Sequence, residues 1–184
     1  MSGFGHFGRE ELLTFLGEID RRLQEPAVLE IVGGAAAILA YGAQTATKDI
    51  DSFPKLDPSV KHAAQDIAQP IPIDLATLTD PPYNYEDRLV RLELPFRKLA
   101  VVVPDRHDLA LMKVVRGYRH DIEVIQEIHG AQPLDLDILI ERYETEMGQA
   151  VTDHRRLRLE FELLIEKLFG SKGLKRAKSW RSRR

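Results

Sequence analysis

The chain has 184 residues, with 26 Lys and Arg against 29 Asp and Glu, a net charge of −3 and no cysteine. That length suits one domain, or one domain with a small helical appendage, and a hydrophobic content of 43% argues against disorder. Without cysteine, disulfides, Cys-ligated zinc, iron–sulfur clusters and thiol nucleophiles are excluded. The charge is uneven, because residues 171–184 hold seven basic side chains (Lys172, Lys175, Arg176, Lys178, Arg181, Arg183, Arg184) and no acid. Taking those seven away leaves 19 basic against 29 acidic residues, so the body carries about −10 and the end about +7. The longest apolar run, residues 31–43, falls short of the roughly 20 residues a bilayer span needs, and the N-terminus lacks a secretory pattern. A cytoplasmic protein with no membrane contact is expected.

In chain order, Leu12, Leu13, Leu16, Ile19 and Leu23 recur at helical spacing over residues 8–23, and Pro26 ends that helix. The run Ala27–Val32 is short and β-branched and reads as a buried strand ending at Gly33-Gly34. Ala35–Tyr41 predicts a helix stopped by Gly42, and Lys48–Phe53 alternates as a half-buried strand. Asp57-Pro58 starts a helix over 58–68, and Pro70–Leu75 is restricted by its prolines to an edge strand. Residues 79–84 are a loop, and 88–94 and 98–103 read as two antiparallel strands joined around Pro95. Everything after Pro104 is helical in pattern: 105–117, 120–128, 134–147 and 153–169. The order describes a mixed α/β layer with a C-terminal helical part.

One constellation suggests chemistry. Gly33-Gly34 ends a strand and opens a helix, and Asp49-Ile50-Asp51 follows on the next strand. Strand alternation puts both aspartates on one face, about 6.6 Å apart at roughly 3.3 Å per residue. Two such carboxylates are hard oxygen ligands for Mg²⁺ bound to a triphosphate, and the glycines let backbone N–H groups approach phosphates at a helix start. An isolated D-x-D is otherwise most often a solvated face, and a lone Gly-Gly a turn.

The segment LEIVGGAAAILAYGAQTATKDIDSF resembles the core of polymerase-beta-type nucleotidyltransferases, and within them the bacterial abortive-infection and toxin nucleotidyltransferases. Gly33, Gly34, Tyr41, Gly42, Thr47, Asp49 and Asp51 match that pattern. A later block, VVVPDRHDLALMKVVRGYRHDIEVI, is similar to the family's Asp-Leu and Lys helix with an Arg-x-x-Asp segment, through Asp108, Leu109, Lys113 and Asp121, with Arg119 or Arg116 as the arginine. The resemblance implies an α/β (α+β) fold, a nucleotidyltransferase-like mixed β-sheet with flanking helices and a C-terminal helical part. It also implies a nucleotidyl transfer from a nucleoside triphosphate to a hydroxyl of RNA, tRNA in particular, or of protein.

By the same likeness Asp49, Asp51, Asp74 and Lys113 are catalytic. Gly33, Gly34, Thr47, Lys113 and Asp121 bind nucleotide, Asp49, Asp51 and Asp74 hold Mg²⁺, and a cognate antitoxin is a partner. Glu93 is the alternative third carboxylate. Thr45 stands where relatives often carry a basic residue, so a catalytically inactive nucleotide- or RNA-binding member is the alternative function. From the residues themselves, Lys113 also reads as a snorkelling surface lysine and Asp121 as a helix cap. The expected organisation is an α/β domain over 1–130, packed helices over 131–170, and a flexible basic tail over 171–184 able to hold RNA.

Overall fold

The structure is a computed structural model that describes residues 5–77 and 79–181. It falls into two compact units, one of residues 1–77 and 89–104, the other of 78–88 and 105–184. Residues 1–4, which include the start of the glycine-rich lead-in, and 182–184, at the end of the basic segment, lie outside the described part.

The first unit is a five-stranded mixed sheet in the order β3-β2-β1-β5-β4, formed by β1 (Ala27–Val32), β2 (Ile50–Ser52), β3 (Ile73–Leu75), β4 (Val90–Arg91) and β5 (Leu99–Val103). Strand β1 pairs parallel with β5 and antiparallel with β2, β2 pairs parallel with β3, and β4 lies antiparallel to β5. Three helices, α1 (Arg9–Arg22), α2 (Gly33–Tyr41) and α3 (Pro58–Gln65), pack on one face over Ala27, Leu29, Ile31, Ile50, Leu99, Val101 and Val103, all buried. Helix α1 turns Leu12, Phe15, Leu16 and Ile19 inward, and its end charges, Glu10 and Glu11 first and Arg21 and Arg22 last, suit the helix dipole. Helix α2 is apolar all round and accordingly buried, and Gly42, at φ +74°, ends it. This is a nucleotidyltransferase-like α/β arrangement, as the sequence implies.

The Asp20 side chain helps fasten α1 to the sheet. Asp20 is 8% exposed, and its carboxylate accepts the backbone N–H groups of Arg97, Lys98 and Leu99 at 2.7–3.2 Å as β5 begins. Burial works to raise its pKa, but those three donors outweigh it and hold the carboxyl below the ordinary range.

The second unit is helical and built on α4 (Arg106–Arg116), whose residues 107–115 are all buried. Around α4 pack α5 (Arg119–Ala131), α6 (Leu136–Glu146) and α7 (His154–Arg181). Asp105 caps α4 by accepting from His107 N at 3.0 Å, and Gly117, at φ +65°, ends it. Residues 78–88, with a 3₁₀ turn at Tyr85–Arg88, join this unit through Arg88, which donates to both oxygens of Asp108 at 2.8 and 3.0 Å and to Glu146.

Two sequence expectations differ from the structure. The strand predicted over 48–53 is only Ile50–Ser52, because Thr47 pairs with Phe7 and the chain bends at Lys48 and Asp49 before β2 starts. The basic end, expected as a flexible tail from 171, is helical through Arg181. Gly170, at φ +67°, breaks α7 into two arms, and Lys178 Nζ reaches Glu162 Oε2 at 3.2 Å. A straight helix would separate those residues by about 24 Å at 1.5 Å per residue, so the second arm folds back along the first. Gly173 and Ala177 are buried on the inner side, while Lys172, Lys175, Arg176 and Lys178 face outward.

Candidate active site

In the first unit the two glycines and the Thr-x-Asp-x-Asp segment interlock residue by residue. Gly33 takes φ +69° as β1 gives way to α2, and a Cβ added there would lie 2.6 Å from Asp51 Oδ2. A Cβ added to Gly34 would lie 2.9 Å from Thr47 Oγ1 and 3.2 Å from Thr47 Cβ. Glycine is thus required twice: for the left-handed turn, and for the approach of β2 and its entry to the helix start. Thr47 is buried, and its hydroxyl donates to the Asp49 carbonyl at 3.1 Å. The N-cap residue of α2, Val32, makes no side-chain cap hydrogen bond among the described residues, and the backbone N–H groups that the first turn of a helix leaves without an intrahelical partner suit a phosphate.

Register then aligns the acids. Asp51 lies opposite Val32 on β1 and opposite Asp74 on β3. In-register residues of neighbouring strands share a face, so Asp51 and Asp74 project together from strands about 4.8 Å apart. That face is the one turned away from α1–α3. Asp49 is half-buried at the bend before β2, and neither its carboxylate nor that of Asp74 has a hydrogen-bond or ion-pair partner among the described residues. Like charges this close are mutually unfavourable, and hard oxygen donors fit a divalent cation. No three His, Asp or Glu side chains among the described residues gather into a metal-binding group by themselves. Glu93 is exposed and follows β4, at the opposite edge of the sheet from β3.

Lys113 and Asp121 come together in the second unit. Lys113 is 3% exposed and Asp121 1%, and Nζ meets Oδ1 at 3.1 Å. Arg116 adds a second cation, its Nη2 at 3.0 Å from Asp121 Oδ1. Lys113 is therefore not a surface lysine. Asp121 lies within the first turn of α5 behind the N-cap position Tyr118, so it is not the cap.

Nearby in this unit is an ionic network that sequence reasoning missed. Asp108 is fully buried between Arg88 and Arg142. Arg142 also meets Asp105, which His107 Nδ1 contacts at 2.9 Å, while His107 Nε2 accepts from Asp135 N at 2.9 Å. That acceptor role places the ring proton of neutral His107 on Nδ1. Burial works to raise the Asp105 pKa, but the bonds from His107 and Arg142 prevail and push it far below the ordinary range. Apart from His107 and Asp105, the partners lie 20 to 58 residues apart in the chain, and no local pattern signals them.

A turn of glycines locked onto T-x-D-x-D on the inner strands of a mixed sheet defines the class: a nucleotidyltransferase-like domain. The profile of a family described as nucleotidyltransferase of unknown function (DUF6036) matches residues 10–168, and the chain belongs to that family. No curated protein and no solved structure matches it. No helix among the described residues is long and apolar enough to cross a membrane.

Proposed function

We propose that the protein is a Mg²⁺-dependent nucleotidyltransferase that transfers a nucleotidyl group from a nucleoside triphosphate to a hydroxyl of RNA. The observation that carries this reading is the contact of Gly33 with Asp51 and of Gly34 with Thr47, which sets the start of α2 against Asp51 and the segment that carries Asp49. The α2 amides hold the triphosphate, and Asp49 and Asp51 hold Mg²⁺, which when bound neutralises the phosphates and polarises the reacting phosphorus. Asp74, in register with Asp51, is the third carboxylate in preference to Glu93 at the far edge. In the transfer, the acceptor oxygen bonds to the α-phosphorus, the bond to the β-phosphate oxygen breaks, pyrophosphate leaves, and Asp74 takes the hydroxyl proton.

The second unit presents exposed Lys172, Lys175, Arg176 and Lys178 on one side of a docked helix. That row favours RNA over a protein side chain as acceptor, although Asp137 and Glu162 already pair with Arg176 and Lys178. The motif's likeness to toxin nucleotidyltransferases supports tRNA as the RNA and an antitoxin as a partner. Thr45, in place of a basic residue, supports a second reading, an inactive member that binds nucleotide or RNA through the same surfaces.

Incubation with each labelled triphosphate, Mg²⁺ and total RNA should label an RNA, and Asp49→Ala with Asp51→Ala should abolish the label while the fold stays intact. Label on protein alone would reassign the acceptor. Nucleotide-dependent thermal stabilisation without label would select the inactive member.

A further inference from the structure

The Gly-Gly cradle is held by a segment that lies outside both motif blocks. Phe7 N–H donates to the Thr47 carbonyl at 2.7 Å, and Thr47 N–H donates back to the Phe7 carbonyl at 3.0 Å, a two-bond antiparallel bridge. Both main-chain groups of Thr47 are thereby taken by one residue. Phe7 is itself fixed to the start of α1, because the next residue, Gly8, donates its N–H to Glu11 Oε2 at 3.0 Å and accepts Leu12 N–H at 3.1 Å. On the other side of the bridge, the Thr47 side chain lies against Gly34, and its hydroxyl reaches the carbonyl of Asp49. A continuous chain of contacts therefore runs from the first turn of α1 through Phe7 and Thr47 to the start of α2 and to the main chain of Asp49.

We infer that the Phe7–Thr47 bridge is a positioning element of the nucleotide site, and that the segment preceding α1 belongs to the triphosphate-binding machinery. It sets the separation between the amides of α2 and the Asp49 carboxylate, the two groups that must meet opposite ends of a Mg²⁺–triphosphate. Fixing that geometry before binding removes an ordering cost, so loosening it weakens the ligand rather than the fold. This inference rests on the triphosphate reading of the site.

Phe7 allows the bridge to be separated from the side chain. Its ring lines a 510 Å³ cleft with Glu10, Phe15, Ile67 and Ile71, whereas the bridge uses only its backbone. Phe7→Ala keeps both bonds and loses the ring, and Phe7→Pro removes the N–H that reaches Thr47. Affinity for each of the four ribonucleoside triphosphates with Mg²⁺ is read by calorimetry on the full chain, alongside melting. The expected result is a loss of roughly tenfold in affinity for Phe7→Pro, and a change within about twofold for Phe7→Ala, a factor of ten corresponding to about 1.4 kcal/mol.

Equal affinity in Phe7→Pro and wild type, at whatever melting temperature, overturns the inference and leaves the bridge a purely structural pairing. If wild type binds no triphosphate, the functional reading itself fails, and the inference with it. Should Phe7→Pro not fold, amide exchange in wild type answers the same question. Protection of the Phe7 and Thr47 amides must rise when Mg²⁺ and triphosphate are added, and unchanged protection overturns the inference.

Discussion

At Gly33 the backbone occupies φ +69°, and an added methyl would meet the Asp51 carboxylate at 2.6 Å. Gly33→Ala therefore combines left-handed strain, about 1–2 kcal/mol, with displacement of a site acid, and chemical denaturation should show at least that loss together with lost triphosphate binding. Asp121 predicts a different outcome. Asp121→Ala removes the carboxylate facing a Lys113 ammonium that is 3% exposed, which should cost about 3–5 kcal/mol, whereas Lys113→Met with Asp121→Leu should recover most of it. If the single and double variants were equally unstable, the loss would come from packing rather than charge.

Residues like these divide sharply in how far the sequence announces them. Gly33, Gly34, Thr47, Asp49 and Asp51 carry a local spacing that chain order preserves. Asp20 does not: on an amphipathic helix it reads as a solvent-side acid, yet its three amide partners lie 77 to 79 residues further on. Asp74 is the sequence's candidate for the third acid and Glu93 its alternative, and only strand order places one beside Asp51 and the other at the opposite edge.

Among the elements, helices were legible through their apolar period, and α1, α2 and α4 lie close to where spacing and capping residues put them. Strand β2 is shorter than its alternation suggests, since a pairing with Phe7, forty residues earlier, takes Thr47 out of it. The basic end was the least legible element. Its run of cations resembles a solvated tail, and the signals of a helical hairpin, Gly170, Gly173 and Ala177, are small residues without an obvious period. A Cβ at Gly173 would lie 2.4 Å from Phe169 Cβ, so Gly173→Leu should undock the second arm. Proteolysis should then cut near residue 173 in the variant and spare the wild type. Deletion of residues 171–184 should weaken RNA binding and flatten its salt dependence while leaving triphosphate binding unchanged.

Over the whole molecule, acid is the stress these interactions predict. Asp20, Asp105 and Glu146 are all held below the ordinary carboxylate range when folded: burial opposes this in each, and the backbone donors at Asp20, His107 and Arg142 at Asp105, and Arg88 at Glu146 prevail. A depressed folded pKa adds stability that is complete above the unfolded value and disappears as pH falls through the folded one. Melting temperature should accordingly hold near neutrality and fall below about pH 4, and Asp20→Asn should lower the plateau and flatten the fall. A fall beginning near pH 6 instead would implicate histidines.

The chain's charge also gains a structural meaning, because the acidic body contains Asp51 and Asp74 in register while the basic residues 171–181 lie on a docked helix beyond the family match at 10–168. An acidic nucleotide site attracts a polyanion only through a cation. Calorimetric titration of the wild-type chain with each ribonucleoside triphosphate, with Mg²⁺ and then with a chelator, tests this most directly. Saturable binding of at least one triphosphate is expected, and it should need Mg²⁺ and vanish in the Asp49→Ala, Asp51→Ala double variant. Binding that persists in the chelator or in the double variant would contradict that expectation.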